Sequence, residues 1–218
     1  MRLLLKFRIL AAVIVLVTGG FTLGNLYAEL LRPSPPYSLT TARIPTDGQI
    51  AAARLAVTIA PLRTDLKADL ALALATRALQ GKAVFVPDLN QAAQLAAQRA
   101  LLAGPHDARI WLMLGQLQAQ RSIRDPQIAE SLKMSYFTAT NSLDLVSTRL
   151  NAVVSTASVT DADLKELARG DIRLILTRRP DLKLVLLDIY RHGSPAGQQF
   201  IEESVKTIDP NFSLTRQQ

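Results

Sequence analysis

Cysteine is absent from the 218 residues, which excludes a disulfide framework, a zinc knuckle and thiol catalysis. A chain without thiols is indifferent to redox poise, so this absence leaves the compartment open. Aromatic residues make up only 5% of the chain, while Ala and Leu dominate, which suits closely packed helices better than a β-sandwich. Histidine occurs only as His106 and His192, each at a turn, where a solvated side chain is the simplest reading. No HExxH, GxSxG, phosphate-binding loop or Rossmann fingerprint is present. Glu202 and Glu203 are adjacent and so point apart on a helix, and Asp161 and Asp163 fit helix capping. The chain therefore reads as a non-enzyme, with no catalytic residue, no metal ligand and no cofactor.

Concentrated charge is also scarce. The net charge is +7, but Arg2, Lys6 and Arg8 supply three of those charges. Glu29 cancels Arg32, which leaves four for residues 33–218. That excess is mild and scattered, so no nucleic-acid partner is expected. The densest basic patch is Arg178-Arg179 with Arg169, Arg173 and Lys183, where cations late in a helix complement its dipole.

One long run does lack charge altogether. Ile9 to Ala28 is uncharged over 20 residues, enough to cross a bilayer as a helix. Three cations precede it, and the positive-inside rule puts residues 1–8 in the cytoplasm and the rest on the exported side. Residues 9–31 are the transmembrane helix of this reading. The competing reading is a cleaved signal peptide with an apolar core from Ile9 to Val17 followed by Thr18, Gly19 and Gly20. Gly20 and Gly24 stand four apart, a small-xxx-small face through which two such helices can pair into a homo-oligomer. Residues 32–46 form a linker in which Pro33, Pro35 and Pro36 favour extended backbone, a semi-rigid spacer that holds the body, 47–218, off the membrane.

The body is organised around Ala93 to Gly115. An Ala-rich amphipathic run with small residues at Ala93, Ala97 and Ala100 stops at Gly104-Pro105, and a second run opens at Asp107 with Trp111, Leu114 and Gly115. Tetratricopeptide repeats recur about every 34 residues with small residues, a proline and a Trp–Leu–Gly set at fixed positions. With Pro105 at position 32, Ala93, Ala97 and Ala100 fall on 20, 24 and 27, and Trp111, Leu114 and Gly115 on 4, 7 and 8 of the next repeat. The segment thus resembles one joint of that family, and the frame extends with slippage to Pro61, Pro180 and Pro210. Helices are expected near 47–60, 65–80, 89–103, 107–122, 126–140, 143–155, 161–178, 181–191 and 195–208. Asp125-Pro126 and Ser194-Pro195 read as caps, Thr160 to Asp163 as a capping box, and Gly81 and Gly193 as helix-ending glycines. Strand character is confined to Ala83–Val86. Trp111, Tyr136 and Phe137 fit core or groove, with core the simpler assignment.

The resemblance implies an all-α architecture, a TPR-like α-solenoid of helical hairpins preceded by one transmembrane helix. It also implies a scaffold that binds protein partners on a surface lined by the first helix of each repeat, where Arg109, Gln116 and Asn151 are candidates for contact. The layout is similar to bacterial inner-membrane proteins with a periplasmic TPR-like domain, several of which accompany envelope polysaccharide assembly. The alternative from the same residues is a secreted or periplasmic soluble binding module left after signal cleavage.

Overall fold

A computed structural model describes residues 2–32, 44–80, 86–140 and 142–214, with side chains from Lys6 onward. These described residues form ten α-helices and no strand. They are α1 (Arg2–Leu30), α2 (Asp47–Ile59), α3 (Thr64–Gln80), α4 (Pro87–Ala103), α5 (Ala108–Arg121), α6 (Gln127–Thr138), α7 (Leu143–Val154), α8 (Ala162–Arg178), α9 (Lys183–His192) and α10 (Pro195–Ile208). The expected strand residues 83–85 and Gly81 lie outside the described residues, and Val86 is the N-cap of α4.

Side-chain caps set most of the helix starts. Asp107 accepts from the Arg109 amide and opens α5, and Ser194 accepts from the Gly197 amide and opens α10 with Pro195 in the first turn. A capping box does occur, but at Thr46 and Gln49 before α2. The box expected at Thr160 is absent. Thr160 ends a 3-10 turn, and Asp161 is the N-cap of α8, accepting from the Leu164 amide at 2.9 Å. Leu164 has no acceptor with which to return the bond, so a box cannot form there. Near Pro126 the cap slips by one residue, because Asp125 accepts from the Gln127 amide. A 3-10 turn over Pro180–Leu182 delays α9 by two residues. Gly193 ends α9 with φ −68°, so it is not the left-handed glycine cap.

Packing runs between neighbours in the first half. α2 and α4 each lie against α3, α5 lies against both α3 and α4, and α6 lies against α5. One apolar core joins α2 to α5 around Ala71, Ala75, Ala93, Ala97, Ile110 and Leu117. A second joins α5 to α10 around Leu112, Leu132, Leu150, Ile172, Leu186 and Phe200. α5 serves both, with Ile110 and Leu114 facing one core and Ala108 and Leu112 the other. The small residues Ala93, Ala97 and Ala100 are all buried, which lets α4 approach its neighbours closely.

The end of α1 is built into this body. Ala28 is completely buried in a cluster with Ala56, Ala60 and Leu66, and a Cβ on Gly24 would stand 3.7 Å from Ile59 Cγ2. Arg63 reaches Glu29 at 2.6 Å and also pairs with Asp65, while Arg32 reaches Asp69 at 2.7 Å and Asp65 at 3.4 Å. These carboxylates hold both guanidiniums above their ordinary values. The end of α1 packs directly on α2 and meets Leu66 of α3. Of the linker, residues 33–43 lie outside the described residues.

Candidate interaction site

Among the open grooves of the first half of the body, one of about 490 Å³ lies between the start of α2, the end of α3 and the start of α4, lined by Asp47, Asp88 and Arg77 and sharing Arg54 and Leu74 with its neighbour between α2 and α4. Another, of about 470 Å³, is lined by the start of α3, the α4–α5 turn, the start of α5 and the α6–α7 turn. Its charged residues are committed to one another. Asp107 caps α5 and pairs with Arg109 at 2.9 Å, and Asp65 pairs with Arg63. Asp107 raises the Arg109 guanidinium above its usual range.

A third groove, of about 510 Å³, lies between α2 and α4 with α3 as its floor. Val57, Leu70, Leu74 and Ala96 give it an apolar lining, and Leu95 stands exposed at its edge. Arg54 on α2, Lys67 on α3 and Arg99 on α4 surround it, and no carboxylate lines it. None of the three cations lies within ion-pair distance of a carboxylate among the described residues, unlike Arg32, Arg63, Arg77 and Arg109. This arrangement can accept an elongated ligand with one apolar face and acidic groups along its margins.

Of the residues singled out from the sequence, Arg109 lines the groove of about 470 Å³, whereas Gln116 and Asn151 line none of the three. Asn151 is exposed on α7 and accepts a bond from Ser155 Oγ at 3.3 Å. Leu114 is buried, and Gly115 faces α6, where a Cβ would lie 3.1 Å from Leu132 Cδ2. Trp111 is half-buried, and its indole N–H donates to the Pro105 carbonyl at 2.8 Å, tying α5 to the turn before it. Tyr136 is a core residue as expected, but Phe137 is 63% exposed. Gly24 is covered by Ile59 while Gly20 is open, so α2 already occupies the upper half of the small-residue face. The basic patch on α8 and α9 is largely neutralised, with Arg169 on Glu166, Arg179 on Asp181 and Lys183 near Asp209.

Sequence reasoning missed a buried polar cluster joining α5 to α8. Arg149 on α7 is fully buried; its Nε donates to Ser135 Oγ at 2.9 Å and its Nη1 to the Ala139 carbonyl at 2.9 Å. Ser135 Oγ donates to the Ala108 carbonyl at 2.8 Å, and the guanidinium sits 4.8 Å over the Tyr136 ring. Tyr136 OH in turn donates to Asp171 Oδ2 on α8 at 2.7 Å. Burial pushes the Asp171 carboxyl up to about 6 despite the downward pull of Tyr136 and Arg149, and burial also lowers Arg149. A signal for the cluster exists in the sequence. Arg149 falls on the apolar stripe Leu145-Val146-Leu150-Val153, and Asp171 on the stripe Ala168-Ile172-Ile175. The cluster is closed to solvent and serves packing between helices. Among the described residues, no group of three His, Cys, Asp or Glu side chains is placed to hold a metal ion.

Comparison of the chain with family models, with curated proteins and with solved structures finds no match.

Proposed function

We propose that the chain is a single-pass membrane scaffold that presents a TPR-like stack of helical hairpins and captures a protein partner on the exported side. The captured element is an amphipathic segment with acidic margins, held in the groove between α2 and α4. The observation that carries this reading is the set of three uncommitted cations, Arg54, Lys67 and Arg99, around an apolar floor. A helix laid in such a groove buries its apolar face while its carboxylates meet the rim. Neighbour-to-neighbour packing of α2 to α6 supports the stacked architecture. α1 is long and apolar enough to span a bilayer over Lys6–Leu30. The contacts of Gly24 and Ala28 with α2 lie after Thr18-Gly19-Gly20, so they hold alike in a retained anchor and in a chain cleaved before Phe21.

Photo-crosslinking from Leu95 in intact membranes tests the groove. The expected outcome is a discrete adduct with one acidic partner, lost in Arg54→Glu/Lys67→Glu/Arg99→Glu and retained when Phe137 carries the substitution as a control. An adduct indifferent to charge reversal would remove the groove from the function. Carbonate extraction and the mass of the mature chain test the anchor, and a mature start at or near Phe21 would replace it with the soluble binding module.

A further inference from the structure

The contacts of α1 fix the level of each part of the body relative to the membrane. Along α1, Gly24 meets Ile59 at the end of α2 and Glu29 meets Arg63 before α3, and just past the end of α1 Arg32 meets Asp69 in the second turn of α3. α3 therefore runs in the same direction as α1, and α2 comes down towards the bilayer. Their shared corner, Ala60-Pro61-Leu62, lies at the level of the last turns of α1. Gly24 stands four residues, or about 6 Å, inside the end of the uncharged run at Ala28. Whatever touches Gly24 is consequently at the membrane boundary.

That corner carries Leu62, which is 81% exposed. The next corner, between α4 and α5, lies beside it, because a Cβ on Gly104 would stand 3.7 Å from Thr64 Cβ. It carries Leu102, which is 87% exposed. Two leucines this open, on adjoining corners at the anchored end, are unfavourable in water and favourable at an acyl-chain boundary.

We propose that the α2–α3 and α4–α5 corners rest on the bilayer that α1 spans, with Leu62 and Leu102 entering the interface between headgroups and acyl chains. The body is then seated on the membrane by two points and a post. The ion pairs of Arg32 and Arg63 fix its tilt. This inference rests on the reading of α1 as a retained anchor.

Because the chain has no cysteine, single cysteines label without ambiguity. The full chain is reconstituted into phosphatidylcholine vesicles with an environment-sensitive fluorophore at Leu62→Cys, Leu102→Cys, Val15→Cys or Ile123→Cys, and lipids bearing a doxyl quencher are added. Ile123 is exposed in the turn at the other end of α5, about 20 Å away. The expected result is a blue shift and loss of emission with shallow-doxyl lipid at Leu62 and Leu102, quenching by deep-doxyl lipid at Val15, and neither effect at Ile123. Quenching at Val15 with Leu62 and Leu102 as unquenched as Ile123 would overturn the seating and leave the anchor standing. No quenching at Val15 would overturn the anchor and the seating with it.

Discussion

Asp171→Asn is expected to stabilise the protein at neutral pH and to leave it nearly unchanged in acid. Asp171 is 5% exposed, and the Tyr136 hydroxyl is the hydrogen-bond donor that its carboxyl meets. Burial lifts it from 3.8 to about 6 in the folded chain, even with Arg149 nearby. The folded state therefore holds the proton more tightly than the unfolded state does. Stability is greatest below about 4, where both states are protonated, falls as pH rises towards about 6, and is level above that. A displacement of this size corresponds to about 3 kcal/mol. Asparagine keeps the shape and accepts from Tyr136 without ever ionising, so it mimics the protonated form. Thermal melts of both full-length proteins in detergent, followed by helical circular dichroism from pH 4 to 8, measure the difference. The melting temperature of the variant should exceed the parent's by about 6–12 °C at pH 7, with the two converging near pH 4. Carboxylates common to both proteins cancel in the comparison. Parallel pH profiles, or a variant less stable at pH 7, would mean that Arg149 binds the carboxylate strongly enough to reverse the effect of burial.

Four further substitutions at three positions probe the packing and one helix cap. In Gly197→Ala the new Cβ would lie 2.2 Å from the Val154 carbonyl oxygen, and backbone cannot yield as a side chain does, so the cost should reach or pass the upper end of about 1–3 kcal/mol; an unchanged denaturant midpoint would refute the close approach of α10 to α7. Gly115→Ala meets the flexible Leu132 side chain instead, and the helix-propensity gain of about 1 kcal/mol offsets the crowding; the midpoint should move little, whereas Gly115→Trp should unfold the body, and a cooperative melt unaffected by tryptophan would refute the close packing of α5 on α6 and with it the proposed repeat frame. Asp161→Ala removes the cap of α8 and the partner of Lys133 at 3.2 Å, costing about 1 kcal/mol at pH 7. The Leu164 amide and Lys133 hold the Asp161 carboxyl below its ordinary value, so this contribution should be lost as pH falls through and below about 4, the opposite sense to Asp171; a difference between parent and variant that persists at low pH would refute it.

The helices were legible because their signals are local. Apolar spacing, the Ser194-Pro195 pair and the run opening at Asp107 placed nine body helices to within a few residues, and the small-residue stripe of α4 predicted its burial. The errors arose where two local signals competed. Thr160 and Asp161 both suit a cap, but the Thr160 hydroxyl donates to the Ala157 carbonyl of the 3-10 turn and Asp161 accepts from the Leu164 amide. What could not be read was tertiary. Nothing near Gly24 in the sequence indicates that Ile59 will cover it, and nothing near Gly197 indicates Val154. Arg149 and Asp171 were visible only as charges on apolar stripes. Their pairing through Tyr136 depends on the angle at which α6 crosses α7 and α8.

The basic residues sort by what each environment has already done to them. Arg149 is removed from solvent entirely, and three acceptors with an aromatic face offset its desolvation. It is unavailable to a ligand whatever its charge. Arg32 and Arg63 remain half-open but share Glu29, Asp65 and Asp69, so an incoming anion would displace a carboxylate that is already in place. Exposed pairs of this kind add little to stability, about 1 kcal/mol or less each, and their main effect is to fix how α1 meets the body. Arg54, Lys67 and Arg99 differ in having no carboxylate within ion-pair distance among the described residues; Arg54 and Arg99 are exposed and Lys67 is half-buried. An acidic ligand in that groove gains three Coulombic contacts and an apolar floor without breaking any bond the fold depends on. Net charge alone concealed this, since +7 spread over the chain looks unremarkable; the distinction lies in which cations the fold has left unmatched and side by side.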